Sequence, residues 1–311
     1  MNGNILVIDN GAAREYTKAT FIPHGTNDHH IMLWQLSGRY DLYAGNGVTI
    51  PTNHFAATIC QCQLEDRLHL MLPRPVIGLP DNDSMYTLNT LAGYDGIIAT
   101  TDIIVADCKV VGVPYIKAHP INFSHLSNCK DNFETNQLLS RSIFSNHPWS
   151  NVFCNDILRI IDDVDIMYHI YYYPNALQEV SRLWDYPNVE LFAVTTWEQY
   201  VSMVWSSFGG CNINCSPMGV GKVAAIAAYN RKISIGYMQQ YQKMLYPELS
   251  SFDWYVLRRQ LKKLVESPNF YTECAEKAHE QLSLLDMHNY QQLLLDFMES
   301  VINGRQKSLQ P

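Results

Sequence analysis

Short apolar runs closed by small or polar residues dominate the first third of the chain. Ile5-Leu6-Val7-Ile8 stands between Asn4 and the turn-forming Asp9-Asn10-Gly11, the pattern of a strand buried on both faces in a parallel sheet. Phe55 to Cys60, Gly96 to Thr100 and Val113 to Ile116 are short, β-branched or aromatic, and bounded by Gly, Pro, Asn or Asp, so they predict further strands. Tyr94 to Asp102 reads as one such strand ending in polar groups, the end at which α/β folds hold ligands.

The pattern weakens from His119 to Asn151, where Asn, Ser, His and Pro accumulate. That shift predicts a domain junction with one or two helices, dividing the chain into residues 1–150, 151–302 and a polar tail 303–311. Strand and helix signals then alternate. Val164 to Tyr173 reads as a strand closed by Pro174-Asn175, Ala176 to Trp184 as a helix, and Asn188 to Val194 as the next strand. Thr195 or Thr196 is placed to cap a helix whose Trp197, Tyr200, Val201, Val204, Trp205 and Phe208 share a face. Cys211 to Cys215, Val220 to Tyr229 and Lys232 to Gly236 form the clearest unit, a strand-helix-strand crossover. Beyond Tyr246-Pro247 the pattern is helical, and Tyr290, Leu293, Leu294, Phe297 and Val301 mark a last amphipathic helix.

Composition narrows the classes. A length of 311 residues fits two Rossmann-sized halves, and 47% hydrophobic with 17% charged residues describes a globular chain. The net charge of -8, from 22 basic and 30 acidic residues, argues against gripping nucleic acid mainly by phosphate neutralisation. The one basic run, Arg258 to Lys263, reads as a solvated helix face. No basic leader, long apolar leader segment or 18-residue apolar span is present, so a cytoplasmic protein without a membrane span is expected. The eight cysteines are scattered, and the closest pair, Cys60 and Cys62, has no matching second pair; reduced, mostly buried thiols are expected.

The chemistry concentrates in Ser216-Pro217-Met218-Gly219-Val220-Gly221-Lys222. Two glycines let backbone approach a ligand closely, and the helix that follows turns its N–H groups and positive dipole end to the same spot. Lys222 in the first turn is unfavourable for the helix itself and useful if a diphosphate lies there. The blander alternative is a strand-to-helix turn with Lys222 in solvent. A P-loop fails at both ends: Ser216 replaces its first glycine and Val223 its magnesium-binding hydroxyl. The strand that follows brings no acidic residue for a metal.

The series from Val164 to Gly236 resembles the C-terminal domain of the GT-B glycosyltransferases. Tyr186-Pro187-Asn188-Val189-Glu190-Leu191-Phe192 is similar to that family's strand before the nucleotide-base pocket, Asn214-Cys215-Ser216-Pro217 to its Pro-Ser turn, and Ala224 to Tyr237 to its small-residue helix and following strand. The resemblance covers about a quarter of the chain and implies an α/β fold of two Rossmann-like domains facing a cleft, with a helical C-terminus. It further implies that Gly219, Val220, Gly221 and Lys222 hold a donor diphosphate. Phe192, Ala193 and Val194 would border the base, while Tyr173 and Asn175 face the cleft. The donor would be a nucleotide-sugar, foremost a UDP-sugar, with no metal required because helix dipole and basic side chains stabilise the leaving group. One departure stands out: Val223 to Tyr229 contains no Asp or Glu to hold the donor ribose.

The first half would supply the acceptor site and a general base. Asp28, His30 and Asp102 are the leading candidates, beside Asp9, Asn10, His29, His54 and His119. Structural roles compete for each, such as a helix cap for Asp28. His24, His29 and His30 do not make a metal site, since adjacent His29 and His30 point apart on a regular element. The leading function is sugar transfer to an acceptor hydroxyl, with polysaccharide, protein, small molecule or modified DNA base all open as acceptors. The alternatives are an epimerase or phosphorylase of the same shape and a nucleotide-binding protein without turnover.

Overall fold

The computed structural model describes residues 3–8, 17–23, 28–45, 55–61, 72–80, 86–131, 141–146, 151–172, 174, 177–183, 185–194, 196, 199, 204, 207–213 and 220–304. They form an α/β protein of two compact units. The first joins Met1–Asn122 to Leu285–Pro311, and the second is Phe123–Leu284.

In the first unit, β1 (Asn4–Ile8), β2 (Thr17–Lys18), β3 (Asp41–Gly45), β4 (Ala57–Cys60), β5 (Val76–Gly78), β6 (Gly96–Ala99) and β7 (Tyr115–Lys117) form a sheet in the order β2-β3-β1-β4-β5-β6-β7. Only β2 runs antiparallel, against β3. The apolar run Ile5 to Ile8 is fully buried because successive side chains serve two different cores. Ile5 and Val7 pack with Ile59, Ile77 and Ile98 against Met32, Leu33 and Leu36 of the helix Asp28–Ser37. Leu6 and Ile8 face the opposite layer with Ile97, Leu91 and Ile104.

The last helix, His288–Ile302, belongs to this first unit, placing Leu294, Phe297 and Met298 in the first of those cores. A Cβ on Gly96 of β6 would lie 2.8 Å from the Phe297 ring, so the ring sits directly on bare backbone.

In the second unit, β8 (Ser142–Asn146), β9 (Met167–Tyr172), β10 (Val189–Ala193), β11 (Gly209–Asn212) and β12 (Ile233–Gly236) form a wholly parallel sheet in the order β10-β9-β8-β11-β12. Counted within the unit this is 3-2-1-4-5, the doubly wound order whose reversal point lies between the first and fourth strands. The contact boundary thus falls at Asn122/Phe123 rather than near residue 150. The stretch around Ser142 is not a connector, because β8 pairs with both β9 and β11 at the centre of the second sheet.

Two other boundaries differ from the sequence reading. The strand expected over Cys211 to Cys215 is Gly209–Asn212, and the helix expected over Ala176 to Trp184 is Leu177–Val180 continued by a 3-10 turn, Ser181–Leu183. A Cβ on Gly209 would lie 2.7 Å from the Ile233 carbonyl, and one on Gly210 2.6 Å from Val223. The two glycines therefore serve close packing inside the strand. The helix proposed after Thr195 lies largely outside the described residues. Cys60, Cys108, Cys211 and Cys274 are buried free thiols, and no described helix is long and apolar enough to cross a membrane.

Candidate functional site

In a parallel sheet every strand ends on the same edge. Tyr172, Ala193, Asn212 and Gly236, the last residues of β9 to β12, share that edge, and the order reverses between β8 and β11. The helix Lys222–Tyr229 starts there, after β11. Small residues let it lie close on the sheet, with Val223 to Ala228 all buried.

Its N-terminus has no side-chain cap, as is also true of the helices Gln240–Leu245 and His288–Ile302, whereas four other described helices are capped. Thr87, Thr101, Asp253 and Ser267 each accept a hydrogen bond from the first turn of their helices. Gly221 precedes Lys222 in the left-handed region, with φ 83°, makes no side-chain cap, and is followed by a first turn without acidic residues. The positive end of the dipole is therefore not answered by a carboxylate of its own helix. Lys222 is exposed and Val220 is buried. Gly219 lies outside the described residues.

The floor of this turn was not legible in the sequence. A Cβ on Gly221 would lie 2.5 Å from Nδ2 of Asn212 and 3.1 Å from both Cβ and Oε1 of Gln239. Asn212 is 1% exposed and Gln239 is fully buried. Gly221 is thus required twice, by its positive φ and by two amides packed against its bare Cα. Gln239 arrives only through the chain's return after β12, where the Tyr237 N–H donates to the Asn212 carbonyl at 3.1 Å.

The base-side candidates Phe192 and Ala193 end the edge strand β10, in register with Tyr171 and Tyr172 of β9. Three strand steps separate β10 from β11, roughly 14 Å at the usual strand spacing. The structure thus brings Phe192, Ala193, Val220, Gly221 and Lys222 to the same end of one sheet. Val194 follows β10 and is buried. Tyr173 and Asn175 lie outside the described residues. The Phe192 ring rests on His169 and Tyr171, with centroids 5.0 and 5.5 Å apart.

His169 is 2% exposed; its Nε2 stands 3.2 Å from Oε2 of half-exposed Glu190, and its Nδ1 has no hydrogen-bond partner. Burial lowers its pKa, against the opposing pull of Glu190. The native state therefore prefers the neutral ring, so His169 contributes stability above its unfolded pKa of about 6.5 and loses it as pH falls toward the lower folded value. Urea midpoints of wild type and His169→Gln, compared at pH 7.5 and 5.5, should show the wild type losing more on acidification. Equal losses would contradict this.

The candidates for a general base sit in the first unit. Asp28 and His30 open the helix Asp28–Ser37, where the His30 ring meets Phe21 edge-on at 5.9 Å; the Asp28 side chain lies outside the described residues. Asp102 begins the helix Asp102–Val111 at the end of β6 and forms a 2.5 Å ion pair with Lys117 of β7. His119 is buried with its ring 5.6 Å from that of Tyr290. Asp9, Asn10 and His54 lie outside the described residues.

No protein-family model and no curated protein sequence matches the chain. Solved structures do. Sucrose-phosphate synthase from Thermosynechococcus elongatus is similar with a TM-score of 0.70 and 8% identity, over 97% of this chain and 100% of that one. HepE from Anabaena, solved with UDP and glucose, gives 0.66 and 9% over 96% and 100%. AviGT4, a glycosyltransferase of avilamycin A biosynthesis, gives 0.58 and 9% over 97% and 98%. The fold of this chain is GT-B.

Proposed function

We propose that the chain is a glycosyltransferase that takes a sugar from a nucleoside diphosphate, foremost a UDP-sugar, and passes it to an acceptor hydroxyl. The observation that carries the reading is the helix start behind Gly221: no side-chain cap, no acidic residue in the first turn, and Lys222 beside it, at the edge where the sheet order reverses. The GT-B fold supports it, as does HepE, a similar structure that binds UDP and glucose.

Breaking the bond between sugar and diphosphate builds negative charge on the departing phosphate oxygens. Gly219, Val220 and Gly221 would present backbone to them, while the helix dipole and the Lys222 ammonium supply the counter-charge without a metal. Phe192 and Ala193 would border the base, with Tyr173 and Asn175 beside them. The acceptor and its general base belong in this reading to the first unit, with Asp28, His30 and Asp102 as candidates. Of these, Asp102 already pairs with Lys117.

One observation favours a second reading, a nucleotide-binding protein without turnover. The six residues Val223 to Ala228 are buried and carry no carboxylate, so the helix offers nothing acidic to a donor ribose.

Lys222→Ala tests the shared diphosphate site. Its affinity for UDP should fall about tenfold or more, equivalent to about 1.4 kcal/mol. Its melting temperature should stay close to wild type, because the side chain is exposed. Unchanged affinity would remove Lys222 from the site. Release of UDP from UDP-glucose by the wild-type protein supports transfer over binding alone; tight UDP binding without release from any UDP-sugar favours the second reading.

A further inference from the structure

Asn212 closes β11 against Gly221. Its side chain is 1% exposed, and Nδ2 carries two N–H donors with no hydrogen-bond partner. Native proteins rarely leave a buried amide in this condition, because it has given up water without recovering a bond. The group ends β11 at the reversal point of the sheet, and its Nδ2 packs against the bare Cα of Gly221, the residue before the helix Lys222–Tyr229. A Cβ there would stand 2.5 Å from Nδ2, so no residue with a side chain fits at this position unless the amide moves.

A carboxamide nitrogen donates and cannot accept. The positive end of the Lys222–Tyr229 helix and the Lys222 ammonium favour an acceptor of the same kind, an anion rather than a cation. We propose that Asn212 is a binding residue of the phosphate cradle: when a diphosphate occupies the turn, Nδ2–H of Asn212 donates to one of its oxygens. This rests on the nucleoside-diphosphate reading given above and adds to it a neutral donor beneath the turn.

The test compares wild type with Asn212→Asp and Asn212→Ser, using UDP and inorganic pyrophosphate as probes and recording each melting temperature. Asn212→Asp keeps the shape and replaces donors with an acceptor that ionises. At pH 8 it should bind both probes at least tenfold more weakly than wild type. A buried carboxyl titrates above its ordinary range, so the deficit relative to wild type should shrink as pH is lowered to 5 and the carboxyl takes up a proton. A purely structural role would not produce that recovery. Asn212→Ser keeps a smaller donor and guards against misfolding of the aspartate variant; it should lose affinity for both probes without a pH-dependent deficit.

Wild type binding UDP with both variants within twofold of it at pH 8, or an aspartate deficit unchanged between pH 8 and 5, overturns the role of Asn212 and leaves the functional reading standing. Wild type binding neither probe overturns the functional reading, and the role of Asn212 with it.

Discussion

Phe297→Ala will cost the first unit about 3–5 kcal/mol, the range for deleting a fully buried phenylalanine ring. The ring is 2% exposed, lies in one core with Leu294 and Met298, and covers Gly96 of β6 so closely that a Cβ there would stand 2.8 Å from it. Removing it leaves a cavity beside a strand that has no side chain at that position to fill the space. The loss should be local. Hydrogen exchange should quicken in the strands of residues 3–122 while the amides of Phe123–Leu284 keep their protection. Equal loss in both units would contradict the assignment of the last helix to the first one.

Gly221→Ala carries the second large effect, about 2–4 kcal/mol on the second unit. Two causes add: a non-glycine residue at φ 83° is strained, and its Cβ would meet the Asn212 amide at 2.5 Å. Gly112→Ala separates them. Gly112 has φ 74° with nothing within 4 Å of a Cβ, so it carries the strain without the collision and should cost about 1 kcal/mol. Denaturant midpoints of the two variants should therefore differ clearly, with Gly221→Ala the lower. It should also lose UDP affinity, because relieving the collision moves the turn. Equal costs would show that the amides beneath Gly221 yield freely.

The second sheet shows which features are legible in a sequence. β10, the helix Lys222–Tyr229 and β12 follow from local signals: Val189 to Ala193 sits between turns, and Gly221 precedes an alanine-rich run. β8 was hidden because Ser142 and Ser145 are buried at the centre of the sheet, where composition alone predicts apolar residues. Ser145 is satisfied there by the Tyr168 hydroxyl from the neighbouring strand, a partner visible only once β8 and β9 are paired. The last helix was readable from Tyr290 to Val301, but its amphipathic face does not say which of two sheets it covers. Of the site, the glycine turn and Lys222 could be read locally. Asn212 and Gln239 could not, because long-range packing brings them together against a side chain that Gly221 lacks.

A nucleoside diphosphate held at the turn before Lys222 would bind the isolated protein in solution. Calorimetric titration of the wild-type protein with the diphosphates of uridine, guanosine, adenosine and cytidine tests it most directly. Saturable 1:1 binding tighter than millimolar is expected for at least one, with UDP foremost. Failure of all four to bind better than millimolar would contradict it.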